Sequence, residues 1–204
     1  MVAIIDYDAG NIKSVEKAMQ FLGEEAVITR DAEKILQADH VILPGVGAFG
    51  DAMEKLEQYG LKQVIHEVVR QKTPFLSICL GLQLLFEESE ESPGIPGLGI
   101  FQGKICKIPA TDGLKIPQIG WNSLCFPKES RLFQGCAEDT YVYFVHSYYL
   151  KAADRSIVSA TTEYGTLIDA AVEKDHIFAC QFHPEKSSTV GLKMLKNFLD
   201  VGRE

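Results

Sequence analysis

The hydrophobic pattern changes character about halfway along the chain. In the first half, short apolar runs alternate with helically spaced apolar positions. "VAIIDY" (2–7), "AVITR" (26–30), "HVILPG" (40–45) and "PFLSIC" (74–79) have strand length and end in polar or glycine residues. Unbroken apolar runs of this kind mark strands buried on both faces of a parallel sheet. Between them, Ile12, Val15, Met19 and Phe21 or Leu22 fall near one helical face until Gly23 stops it. A helical turn fits residues 31–38, and Leu61, Val64, Ile65 and Val68 mark a helix over 60–71. "LGLQLLFEES" enters a further helix after the fourth run. Strands alternating with helices imply right-handed βαβ units and a parallel sheet covered on both faces.

The second half is mostly strand-like. "GIFQGKICKI", "GWNSLCF", "TYVYFVHSYYL", "SIVSATTEY", "LIDAAVEKD" and "HIFACQFH" are separated by turns, and several suit antiparallel pairing. A closing helix from about Ser187 carries Val190, Met194, Leu195, Phe198 and Leu199 on one face. No internal repeat or low-complexity linker interrupts the chain, so residues 1–204 read as one domain. The expected fold is α/β in three layers, a mostly parallel central sheet with flanking helices and antiparallel strands in the C-terminal half. Ligands of such sheets collect outside the carboxyl ends of the strands. Cys79 sits at such an end.

Composition narrows the partners. The net charge of −8 argues against a nucleic-acid surface, which needs clustered Lys and Arg. The five cysteines, Cys79, Cys106, Cys125, Cys136 and Cys180, have no CxxC spacing. Neither a disulfide framework nor a metal site is therefore expected, and a reducing compartment is. "MVAIIDYDAG" is too short in its apolar run for a signal peptide, and no segment has membrane-spanning length. A cytoplasmic location follows as the expectation.

Three segments carry candidate chemistry. In "SICLG", Cys79 stands between the small residues Ser77 and Gly81, the pattern of a nucleophile on a sharp strand-to-helix turn. A helix N-terminus there favours thiolate, and the Leu80 amide is placed to meet an oxyanion. In "CQFHPEKSS", His183 and Glu185 are two apart, on one face of an extended segment that Pro184 keeps from becoming helical. A carboxylate so placed orients an imidazole toward a thiol. A solvated polar strand end fits the same residues. His40, His66 and His176 suit surface or capping positions. His146, in "YFVHSYY", is the rival base, but no neighbouring carboxylate orients it. "LPGVGAFGDAM" (43–53) supplies Gly45, Gly47 and Gly50, which let backbone amides turn toward a ligand. A second oxyanion donor near Val46 or Gly47 is one reading; a plain connection or a phosphate loop are others.

Together, "CLGLQ" and "FHPE" at this separation resemble the class I (triad) glutamine amidotransferases over essentially the whole chain. "DYDAGNIKSVEKA", "PGVGAFGDAM", "GWN", "YFVHSYY" and "QFHPEKSS" are similar to the branch that forms the glutaminase subunits of imidazole glycerol phosphate synthases. Ser77 departs from the glycine common there. The resemblance implies a Cys79–His183–Glu185 triad that hydrolyses glutamine to glutamate and ammonia through a thioester, without a cofactor. It implies oxyanion donors at Leu80 and Val46–Gly47, and substrate contacts from Gln83, Glu91, Ser147 and Tyr148. It also implies a (β/α)8-barrel cyclase partner in histidine biosynthesis, with Asn11, Trp121, Asn122, Tyr143 and Lys186 as interface residues. The aromatic residues suit strand packing equally well. A glutaminase serving anthranilate or pyridoxal phosphate synthesis, a stand-alone Cys–His hydrolase and a flavodoxin-like binding domain are the competing readings.

Overall fold

The computed structural model describes residues 1–8 and 12–202; Asn11, one of the expected interface residues, lies outside them. The first half runs β1 (Val2–Ile5), α1 (Ile12–Phe21), β2 (Ala26–Thr29), α2 (Ala32–Leu36), β3 (His40–Gly45), α3 (Phe49–Gln58), α4 (Leu61–Arg70), β4 (Phe75–Cys79) and α5 (Leu80–Leu84). The second half adds β5 (Glu88–Ser89), β6 (Gly103–Lys107), β7 (Gln118–Ser123), β8 (Tyr141–His146), β9 (Tyr148–Ala152), β10 (Val158–Glu163), β11 (Leu167–Lys174), β12 (Ile177–Cys180) and α6 (Ser188–Asp200). Among the described residues the main sheet has the order β2-β1-β3-β4-β12-β11-β9-β6-β5, with β10 paired to β11. From β2 to β12 the pairing is parallel; β11, β9 and β6 then continue antiparallel. β7 and β8 form a separate antiparallel pair.

The apolar run at 2–5 has a direct structural cause. Successive strand residues point to opposite faces of a sheet. Val2 and Ile4 pack with Ile12, Val15 and Met19 of α1 and with Leu195 and Phe198 of α6. Ala3 and Ile5 pack on the other face with Ile35, Leu56 and Ile65. A strand covered on both faces has no position exposed to water, so apolar side chains dominate it. Each large aliphatic side chain fully buried this way contributes roughly 1.5–3 kcal/mol.

Several local expectations change. The glycine-rich segment is a connection only as far as Ala48, because α3 starts at Phe49. Gly50 lies in the first turn of that helix, where an added Cβ would stand 2.9 Å from Ser92 Oγ, so it serves close packing. The helix after Cys79 ends at Leu84. The amide of Leu98 takes the Leu84 carbonyl at 2.8 Å and that of Ile100 takes the Leu85 carbonyl at 2.9 Å, so the chain at 97–101 replaces the helical partners. The strand expected from Gly99 begins only at Gly103. Leu22, not Phe21, packs against the core; Phe21 is 76% exposed. His40 is buried rather than superficial: its Nε2 pairs with the Val201 carbonyl at 2.9 Å, and its ring meets Phe198 edge-on.

Candidate active site

Parallel pairing brings three distant segments to one edge of the sheet. Gly45 of β3 is opposite Cys79 of β4, and Cys180 of β12 is opposite Ile78. The chain therefore leaves β3 at Val46–Gly47, reaches its turn at Cys79, and leaves β12 at Gln181–Glu185, all side by side. Cys79 has φ 56° and ψ −110°. A non-glycine residue in that region costs about 1–3 kcal/mol, held by the surrounding packing. The small neighbour on its C-terminal side has a specific cause: a Cβ at Gly81 would lie 2.2 Å from the Leu43 carbonyl oxygen. Gly45 is as constrained, since its Cβ would lie 2.5 Å from the Tyr7 hydroxyl, which donates to the Pro44 carbonyl at 2.8 Å. Ser77 is fully buried and its hydroxyl makes no hydrogen bond. α5, which follows the turn, has only five residues, so its dipole contributes less at the thiol than a long helix would.

His183 reaches its carboxylate by a route other than an extended strand. His183 itself is extended, but Pro184–Lys186 is a single 3-10 turn with proline in its first position. That turn brings Glu185 back so that His183 Nδ1–H donates to its Oε1 at 2.8 Å, both side chains being inaccessible to solvent. Ser187 Oγ fastens the turn by donating to the His183 carbonyl at 2.7 Å and accepting from the Tyr143 amide at 3.0 Å. Gly191 lets α6 close onto it, because a Cβ there would stand 1.9 Å from the Pro184 carbonyl. His183 Nε2 is buried without a short hydrogen bond, and Cys79 is its neighbour on that side. Burial opposes the imidazolium, yet Cys79 and Glu185 outweigh it and raise the pKa to about 9.

His146 is differently placed. Its Nδ1 lies 2.8 Å from the Tyr148 carbonyl and its Nε2 2.9 Å from the Gln118 side chain. Burial lowers its pKa to about 4, and both nitrogens are occupied. It lines the same cavity as Cys79 and His183, but its ring is tied to Tyr148 and Gln118 rather than to a carboxylate.

Cys79, Leu80, Val46, Gly47 and His183 line a cavity of about 270 Å³, and Gln83, Glu91, Ser147 and Tyr148 line the same space. Glu185 stands behind His183. Gly47 has φ +98° with nothing within 4 Å of an added Cβ, so glycine is needed there for conformation alone. Two of the expected substrate contacts also have partners within the protein. Gln83 Nε2 donates to the Tyr148 carbonyl and to Gln181 Oε1, each at 3.0 Å. Glu91 Oε2 accepts the Phe49 amide at 2.8 Å and so caps α3, whose own N-cap residue, Ala48, offers no side chain. Pro117 and Gln181 escaped sequence reasoning. Pro117 lines the cavity and has no local signal. Gln181, just past β12 and two residues before His183, donates to Cys79 Sγ at 3.7 Å. Among the described residues no cluster of His, Cys, Asp or Glu is suited to a metal ion.

The expected interface residues divide. Trp121, 52% exposed, packs edge-on against Tyr143, and Ile119 and Tyr141 extend the same outward face of the β7–β8 pair. Phe144 and Tyr149 of the same aromatic stretch are core. Asn122 instead donates to the Glu163 carbonyl at 2.9 Å and ties the pair to β10. Lys186 is exposed one residue beyond Glu185. The face adjoins the cavity, since the Tyr143 carbonyl accepts the His183 amide at 2.9 Å.

Sequence and structure comparisons place the chain among known proteins. The family model "Glutamine amidotransferase class-I" matches residues 3–201. "Imidazole glycerol phosphate synthase subunit HisH" of Methanocaldococcus jannaschii is 47% identical over 98% of this chain and 100% of its own length. "Imidazole glycerol phosphate synthase subunit HisH 1" of Methanococcus maripaludis is 46% identical over 98% and 100%. A solved structure described as a glutamine amidotransferase superposes with a TM-score of 0.76 at 20% identity, covering 98% of each chain, which speaks to the fold. No helix of the described residues is long and apolar enough to cross a membrane. With a matching model spanning nearly its whole length, the chain belongs to the class-I glutamine amidotransferase family.

Proposed function

We propose that this chain is the glutaminase subunit of an imidazole glycerol phosphate synthase, a single amidotransferase domain over residues 1–204. The observation that carries the chemistry is the buried His183–Glu185 pair beside a cysteine on a strained turn. The Cys79 sulfur attacks the side-chain carbonyl carbon of glutamine. The oxygen takes up negative charge, met by the Leu80 amide and by an amide of Val46 or Gly47. His183 gives its Nε2 proton to the departing nitrogen, and ammonia leaves a thioester on Cys79. Water, losing a proton to His183, then attacks the thioester and releases glutamate. Glu185 keeps the imidazole oriented and favours its protonated form.

The cavity suits a small amino acid. Glu91 is a carboxylate for the α-ammonium, and Gln83, Ser147 and Tyr148 supply polar groups around it. Ammonia passes to a (β/α)8-barrel cyclase subunit in the cytoplasm, which builds imidazole glycerol phosphate for histidine biosynthesis. The exposed Trp121–Tyr143 face and Lys186 support a docking surface beside the site, with Asn11 an expected contact. The relatives named above are described as subunits of that synthase, which supports this branch over glutaminases of other pathways. The test is glutaminase assay with and without the barrel subunit and its nucleotide. Cys79→Ala should abolish glutamine-dependent product while supplied ammonia still supports synthesis. Glutamine-dependent product from this variant would remove Cys79 from the mechanism.

A further inference from the structure

A chain of side-chain amides ends on the nucleophile. Gln181 has no solvent exposure, and its backbone amide is fixed by the Ala170 carbonyl at 2.8 Å. Its side chain has two faces, a carbonyl that can only accept and an NH₂ that can only donate. Which one meets Cys79 is decided elsewhere. The Tyr148 backbone carbonyl is an obligate acceptor, so Gln83 must turn its NH₂ toward it, at 3.0 Å. The same nitrogen donates to Gln181, at 3.0 Å, so Gln181 must present its oxygen to Gln83. Its NH₂ is thereby left pointing at Cys79 Sγ, 3.7 Å away. The Tyr148 carbonyl also receives His146 Nδ1, which uses its second lone pair and holds it in place.

We infer that Gln181 is a positioning residue for the nucleophile, donating a hydrogen bond to the Cys79 sulfur with a polarity imposed by Gln83 and the Tyr148 carbonyl. A donor at that sulfur favours thiolate over thiol and holds the side chain in the orientation that His183 Nε2 faces. The short α5 leaves room for such a contribution. The inference rests on Cys79 being the nucleophile, and it adds to that reading a source of thiolate stabilisation outside the His–Glu pair.

The test reads thiol ionisation directly, without turnover. Iodoacetamide alkylation of Cys79 is followed against pH in the full-length protein, with Cys79→Ala as the background from Cys125 and Cys136. Gln181→Met keeps length and neutrality but cannot donate. The other titratable groups around the sulfur are His183, Glu185, Tyr7, Cys180, His146 and Glu91, and none of them changes. The expected result is alkylation at neutral pH slowed about tenfold, with the profile displaced upward by about one pH unit. Gln83→Met, which leaves Gln181 in place but unlocks its amide, should shift the profile in the same direction by less. Circular dichroism selects the folded variants for comparison. An unchanged profile in folded Gln181→Met and Gln83→Met overturns the inference and leaves the amide chain structural. A wild-type Cys79 that alkylates no faster than Cys125 overturns the nucleophile assignment instead.

Discussion

Glu185→Gln isolates what the carboxylate does for His183, because the amide keeps the shape and removes the charge. The imidazole pKa stands at about 9 against an ordinary 6.5, despite burial that works the other way. At 1.36 kcal/mol per unit, that rise is a preference of ~3 kcal/mol for imidazolium. Cys79 and Glu185 supply it together. If the carboxylate provides half, its loss costs ~1.5 kcal/mol and lowers the pKa by about one unit. The sign follows from the role the proposed mechanism gives the proton. A raised pKa keeps the imidazolium, which must protonate the leaving nitrogen, present up to pH ~9; without the carboxylate it is lost as pH rises through a lower value. The assay is glutaminase kcat/KM against pH in the assembled synthase. The alkaline limb should move from about pH 9 toward 8 in Glu185→Gln, with residual activity at neutral pH that His183→Ala lacks. An alkaline limb that stays near 9 in the variant would refute the reasoning and assign the limb to another group.

Gly47→Val should lower partner-stimulated turnover by roughly 10²–10³, the cost of one misplaced oxyanion donor, with glutamine binding preserved. Stimulated rates matching wild type would make the loop a simple connection. Ser77→Ala removes a fully buried hydroxyl that makes no hydrogen bond, so thermal unfolding should show equal or higher stability, by up to ~1–3 kcal/mol; a fall in Tm would mean the hydroxyl is engaged. Trp121→Ala should weaken assembly with the barrel subunit by ~2 kcal/mol, about thirtyfold in Kd by titration calorimetry. An unchanged Kd would move the interface off this face.

The parallel half of the fold is written in its sequence because β1, β3 and β4 are buried along their whole length and therefore largely apolar, while β2, at the sheet edge, is only half-buried. The turn at Cys79 is legible for a related reason: Gly81 is required by a backbone contact with the Leu43 carbonyl, and such contacts leave small residues in the sequence. The limits are equally physical. α3 begins directly after a glycine loop and contains Gly50, so its first turn has the composition of a connection. α5 stops where the chain at 97–101 takes its carbonyls, a competition that no local pattern records. The His183–Glu185 spacing fits an extended segment and a 3-10 turn alike, since either puts the two side chains together. Gln181 has an ordinary side chain for a strand end; its meaning depends on a carbonyl 33 residues earlier in the sequence.

Adjacent pairing of β4 and β12 has a consequence for the chain before it is a protein. Cys79 and the residues that surround it, Gln181 and His183, are separated by more than a hundred positions, and only the closing of the sheet brings them into contact. Synthesis proceeds from the N-terminus, so the thiol emerges long before the groups proposed to activate it. On that reading a nascent or partly folded chain should carry a cysteine no more vulnerable to electrophiles than Cys125. If Cys79 is the nucleophile, its selective alkylation should appear only once β12 has paired with β4, and would then report the closing of the sheet.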